Sequence, residues 1–116
     1  MSNEKICQQF LRAAARTIRK AGLARGIRLE HVGGRMCMLG AMDHCGITIS
    51  HDERRRIEGH VASLLPIPAD GIRDAYNHYT AYPGSAPSIK ITSWNNMIAF
   101  DAEEVAAKLD LAAEAC

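Results

Sequence analysis

Residues 36–42, Met-Cys-Met-Leu-Gly-Ala-Met, are almost wholly apolar, and a run this short crosses no membrane. The segment reads as a buried helix that Gly46 stops, and it marks the centre of a core. On its N-terminal side, Asn3 to Ala21 repeats Ile6, Phe10, Ala14, Ile18 and Ala21 at helical spacing, while Lys5, Arg12, Arg16 and Arg19 project from the opposite side. Ser2 or Asn3 suits the cap of that helix, Glu4 suits the positive end of its dipole, and Gly22 suits the left-handed turn that ends it. Between these two helices, residues 27–32 alternate weakly and Gly33-Gly34 can turn the chain back toward Arg35–Cys37. This pattern suggests a short β-hairpin near residues 27–37.

Downstream of the apolar run, Ser50 and Glu53 have capping-box spacing. They open a helix that would turn Ile57, Val61, Leu64 and Leu65 inward until Pro66 ends it. Ile72, Ala75, Tyr76 and Tyr79 predict a further helix over 69–80. Pro83, Gly84 and Pro87 make 82–88 a loop. Ile89 to Asn95 fits either a short strand or one helical turn bearing Trp94. Asp101 and Glu104 repeat the capping-box spacing, with Phe100 and Val105 placed as a hydrophobic staple, so a last helix follows. The expected fold is mostly α: a single small domain over 1–116, with four to five helices around one core.

The 116 residues are 47% hydrophobic and 23% charged, enough for one core and no more. A formal charge of +1 is too small to hold a polyanion by overall field, which disfavours a general nucleic-acid binder. The charge is unevenly divided, however. Residues 1–60 carry 11 basic and 6 acidic side chains, whereas 61–116 carry 3 and 7. A basic surface from Arg12, Arg16, Arg19 and the Arg54–Arg56 run, Arg55 included, is therefore a candidate contact face. The plainer reading is a solvated helix face answered by the acidic half of the same fold. Without a membrane span or a secretion-type apolar core at the amino terminus, the chain is expected in the cytoplasm, and its four cysteines are expected as reduced thiols.

Three constellations bear on chemistry. Cys37 follows two glycines at a helix start, so a cysteine nucleophile is conceivable with His31, His51, His60 or His78 as base. Against that, Met36, Met38 and Leu39 surround it, and cysteine in such company is a small core hydrophobe. For metal, Cys37 and His44 share a helical face but stand about 10 Å apart along the axis, whereas ligands on one zinc lie within about 4 Å of each other. Cys45, His51 and His31 meet only through tertiary folding, so neither a metal nor a cofactor is expected. Trp94, Asn95 and Asn96 form a polar-aromatic cluster where loop meets helix, a place that often carries binding residues; the plainer reading makes Trp94 a core anchor beneath the loop, with the two amides bonding nearby backbone.

The helix Leu11–Ala21, the segment Cys37–Ala41, and the run from Trp94-Asn95 through Ala102–Val105 to Leu109-Asp110 resemble an uncharacterised family of small domains common in actinobacteria and their phages. Similar sequences place an aromatic residue before the cysteine and an aspartate after the Trp-Asn pair, where this chain has Met36 and Asn96. The resemblance implies a mostly helical small fold and brings no established activity. The leading expectation is a non-enzymatic cytoplasmic interaction module, phage-encoded in one setting, that binds a host protein or itself through Arg12, Arg16, Arg19, Arg55, Trp94, Asn95 and Asn96. The alternatives are a cysteine-dependent hydrolase or transferase using Cys37 with His31 or His51, and a nucleic-acid binder using the basic first helix.

Overall fold

The computed structural model describes residues 3–116; the capping expected of Ser2 or Asn3 and the dipole role of Glu4 lie outside the residues and side chains described. Helix α1 spans Asn3–Ala21 and buries Phe10, Leu11, Ala14 and Ile18. Gly22, at φ +94°, ends it by donating to the Ile18 carbonyl at 2.8 Å. Helix α2, Met38–Asp43, is the expected core segment, with Met38, Leu39, Ala41 and Met42 all buried. Helix α3, His51–Ser63, starts where the Ser50 hydroxyl accepts the Glu53 amide and turns Ile57 and Val61 inward. Helix α5, Ala102–Glu114, starts where the Asp101 carboxylate accepts the Glu104 amide. The staple beside that cap does not form, because Phe100 is 80% exposed while Val105 is fully buried.

The hairpin lies elsewhere than expected. Strands β1 (Ile72–Asp74) and β2 (Tyr79–Ala81) pair antiparallel, Ile72 opposite Ala81 and Asp74 opposite Tyr79, where the apolar spacing predicts a helix over 69–80. Asp74 decides the outcome. Its carboxylate accepts the amides of Tyr76 and Asn77, a side-chain turn that competes with helical hydrogen bonds. His78 follows at φ +59°, reversing the chain into β2. Of the hairpin expected at 27–37, a short remnant forms: Gly34 donates to the His31 carbonyl in the turn, Glu30 donates to Arg35, and Cys37 donates to Arg28. Those bonds bridge Leu29 and Met36 antiparallel at a single residue pair, and on its other edge Met36 bonds Gly22 and Ala24. Residues 22–37 thus form a strap tied back to the end of α1.

The ambiguous 89–95 segment belongs to helix α4, Pro87–Met97, with Pro87 in the first turn, where its missing N–H costs nothing. Helix α4 is the hub: α2, α3 and both strands pack against it, while α5 lies along α1. The order of contacts along that pair is antiparallel, since Arg19 near the end of α1 meets Glu103 at the start of α5, and Cys7 near the start of α1 meets Cys116 beyond the end of α5. Cys7 and Cys116, separated by 109 residues, are joined as a disulfide, which corrects the expectation of four reduced thiols; Cys37 and Cys45 are free. The result is one compact domain of five helices and a two-stranded hairpin, with a radius of gyration of 13.1 Å. No helix among the described residues is long and apolar enough to cross a membrane.

Candidate functional site

The strap, the hairpin and α4 enclose an open cleft of about 370 Å³. Gly26–Arg28 supply one wall, Asn77 and Tyr79 of the hairpin a second, and Ser88, Ile89 and Thr92 of α4 a third, with Cys37, Leu39 and Asn96 on the remaining side. Two close approaches set this shape. At Gly26, φ is +76° and an added Cβ would fall 2.9 Å from that of Tyr76. At Gly40, an added Cβ would collide with the carbonyl oxygen of Arg28. The strap therefore rests directly on α2 and on the hairpin.

A chain of buried amides holds the cleft walls together. Asn95 Oδ1 accepts the Met38 amide at 3.0 Å, and its Nδ2 donates to the Ala24 carbonyl at 3.0 Å and to Asn96 Oδ1 at 3.1 Å. Asn96 Oδ1 also accepts the Gly26 amide, and its Nδ2 donates to Asp74 Oδ2 at 2.9 Å. One connected network so links α4 to α2, to the strap and to the hairpin, and buried polar groups are tolerated where each finds a partner. Arg25 adds a fork at the C-terminal end of α4, donating to the carbonyls of Asn95, Asn96, Ala99 and Phe100.

These positions revise the expected contact surface. Trp94, Asn95 and Asn96 lie inside α4 rather than at a loop, at 1%, 0% and 3% exposure. Trp94 fills the core, its Nε1–H without a hydrogen-bond partner, and the two amides serve the scaffold. Arg19 is committed to Glu103 and Asp110, and Arg12 stands 3.9 Å from Asp110. Arg19 holds the Glu103 carboxyl below its ordinary range by direct hydrogen bonding. The basic face of α1 is thus answered in part by α5. Arg16 and Arg55 are exposed on α1 and α3.

Cys37 lines the cleft but is nearly enclosed. Burial pushes its thiol above the ordinary range, against the opposing hydrogen bonds from the Gly40 and Leu39 amides. Its Sγ accepts the Gly40 amide at 3.3 Å and so caps α2. Among the described residues no histidine lines this cleft. His31 lies in the exposed turn of the strap, Nδ1 against the carbonyl of Val32, and His51 opens α3 at the surface. The structure does not bring the nucleophile and either base together.

Sequence reasoning missed the residues that form the rim. Ile27, Tyr76 and Tyr79 are 51%, 53% and 54% exposed, whereas the apolar spacing places Ile27 in a weak strand and the two tyrosines on the apolar face of a helix that does not form. The only signal available was Asp74 placed two and three residues before the amides it accepts.

No curated protein and no solved structure matches the chain. A family model described as "Family of unknown function (DUF6197)" matches residues 3–115. Nearly the whole domain is covered, and the chain belongs to that family.

Proposed function

We propose that the protein is a non-enzymatic, cytoplasmic interaction module that takes a segment of a partner protein into the cleft between strap, hairpin and α4. The observation that carries this reading is the rim: Ile27 and Tyr79 line the cleft while standing half exposed, and Tyr76 adjoins them across Gly26. Tyrosine is favoured at protein interfaces because it offers a large apolar face and a polar tip with little conformational entropy to lose. The cleft is rigid where it matters, since the buried amides fix its walls, and a preformed site lowers the cost of ordering on binding. A phage or its actinobacterial host is the setting in which such a small module would meet its partner.

A displayed library of random peptides, panned on the immobilised protein, tests the idea. The wild type should enrich related sequences, and Ile27→Asp with Tyr79→Ala should abolish that enrichment while leaving helical circular dichroism unchanged. Equal enrichment on both proteins would remove the cleft as the binding site. Enrichment lost instead on Arg16→Glu with Arg55→Glu would return the role to the basic faces. Concentration-dependent sedimentation of the wild type, abolished by the rim substitutions, would make the partner a second copy of this chain.

A further inference from the structure

The far end of the α1–α5 pair carries a second set of chemically capable side chains. Cys7 lies near the start of α1, Cys116 follows α5, and His60 comes from the last turn of α3. The two sulfurs and a ring nitrogen of His60 all lie within 4.8 Å of one another, each residue partly buried. They border a hollow of about 230 Å³ that Glu53, Arg56 and Ile57 also line. His60 Nε2 stands 2.8 Å from the carbonyl oxygen of Ala112. A carbonyl only accepts, so Nε2 carries the proton and the lone pair sits on Nδ1. Metal-bound imidazoles are commonly fixed in this way, one ring nitrogen donating to a backbone carbonyl while the other coordinates.

Two thiolates and a neutral imidazole form a donor set that zinc takes, at about 2.3 Å to sulfur and about 2.0–2.1 Å to nitrogen. A tetrahedron with those bonds separates its ligand atoms by roughly 3.5–3.8 Å. The sulfurs, bonded to each other in the disulfide, must part, and the imidazole need close only by about 1 Å from its present limit. Cys116 lies two residues beyond α5, its amide donating to the Ala113 carbonyl. Charge also fits: two thiolates neutralise a divalent cation, and the arginine among the described residues lining the hollow, Arg56, is paired with Glu53.

We propose that Cys7, His60 and Cys116 bind one Zn²⁺ in the dithiol state of the protein, with water in the fourth position, and that the Cys7–Cys116 disulfide is the metal-free form of the same site. The two states exclude each other because the same sulfurs serve both. A phosphine breaks the S–S bond, the sulfurs take its two electrons, and phosphorus leaves as the phosphine oxide with its oxygen from water. Zinc then binds two thiolates and displaces two protons. This site is independent of the cleft, whose Cys37 serves as a control beside Cys45.

The test is an anaerobic titration of the phosphine-reduced full chain with Co²⁺, whose tetrahedral d–d bands and thiolate charge-transfer absorption report the ligands directly. One equivalent should bind, and Zn²⁺ should bleach both signals. Cys116→Ser and His60→Ala should each weaken binding by about 100-fold or more, since even partners one shell further out cost 10–100-fold. Circular dichroism checks that both variants fold. Cys37→Ser with Cys45→Ser should bind as the wild type does, and the disulfide form should take up no cobalt. A reduced wild type without the tetrahedral spectrum, or undiminished binding by Cys116→Ser, would overturn the proposal.

Discussion

The molecule carries sulfur in two places, and the two are built by opposite means. Cys37 is surrounded by its own neighbours in sequence: it caps a short helix, and Met36, Met38 and Leu39 are buried with it. Cys7 and Cys116 come from positions 109 residues apart, brought together because α5 runs back along α1. The local arrangement shields its thiol and, among the described residues, places no histidine in its cleft, whereas the distant one gathers two sulfurs and an imidazole at a partly open wall. Sequence proximity here favours packing, since an apolar run must be buried as a unit. Chemistry gathers where helix ends meet, because there the backbone turns outward and polar side chains keep access to water.

The comparison breaks most severely at Gly40. Alanine there would drive Cβ into the Arg28 carbonyl, backbone against backbone, so neither side can yield by rotating a side chain. Gly40→Ala should cost more than about 4 kcal/mol, near the whole stability of many small domains, and should appear as lost helical signal at room temperature. At the other sulfur site, reducing Cys7–Cys116 should cost about 4 kcal/mol in urea unfolding, because a bond closing so long a loop removes much freedom from the unfolded chain. Excess Zn²⁺ should return part of that loss in the wild type and none in Cys116→Ser, since only a ligand of the folded state raises stability by mass action.

Asn95 sharpens the contrast at a smaller scale. Replacing it by alanine leaves the Met38 amide and the Ala24 carbonyl buried without their partner. Each orphaned group costs about 1–3 kcal/mol, so Asn95→Ala should lower stability by about 3 kcal/mol by chemical denaturation. It should also loosen the cleft, seen as faster hydrogen exchange at Met38 and Gly26, while leaving exchange near Cys7 unchanged.

Where a segment's own hydrogen bonds or apolar stripe decided its structure, it was legible. The Ser50 and Asp101 caps, the Gly22 stop and the burial of 36–42 are all local and hold, although the helix within that run starts at Met38, with Cys37 as its cap, and ends at Asp43. The region 69–80 was not legible, because Ile72, Ala75, Tyr76 and Tyr79 carry helical spacing while a single carboxylate, Asp74, redirects the backbone and is itself satisfied by Asn96 from a distant helix. The same cause hid the contact surface. Asn95 and Asn96 look like loop residues until α2, the strap and the hairpin are seen to need their hydrogen bonds, and Trp94 until the core is seen to close around it. Charge was legible only in part: the acidic second half answers Arg12 and Arg19 through Glu103 and Asp110, whereas Arg28, Arg35, Arg54 and Arg56 pair with acids of the first half.

Cys37 supplies the smallest effect and the cleanest separation of the two sulfur sites. Its thiol titrates above the ordinary range because burial penalises the thiolate more than the Gly40 and Leu39 amides stabilise it. Below the ordinary thiol range both folded and unfolded chains keep the proton, and Cys37 leaves stability unchanged with pH. As pH climbs past that range the unfolded chain releases the proton and the folded chain retains it, so stability falls as pH rises, by at most about 1.4 kcal/mol per pH unit. The wild type should show this extra alkaline decline relative to Cys37→Ser, measured by urea unfolding at a series of pH values. Iodoacetamide at neutral pH should correspondingly leave Cys37 unmodified in the folded protein, while reduced Cys7 and Cys116 react and are protected by Zn²⁺. Rapid alkylation of Cys37 together with the absence of an alkaline difference would mean an accessible thiolate in the cleft, and would transfer the reactive role from the helix ends to the site that the apolar run encloses.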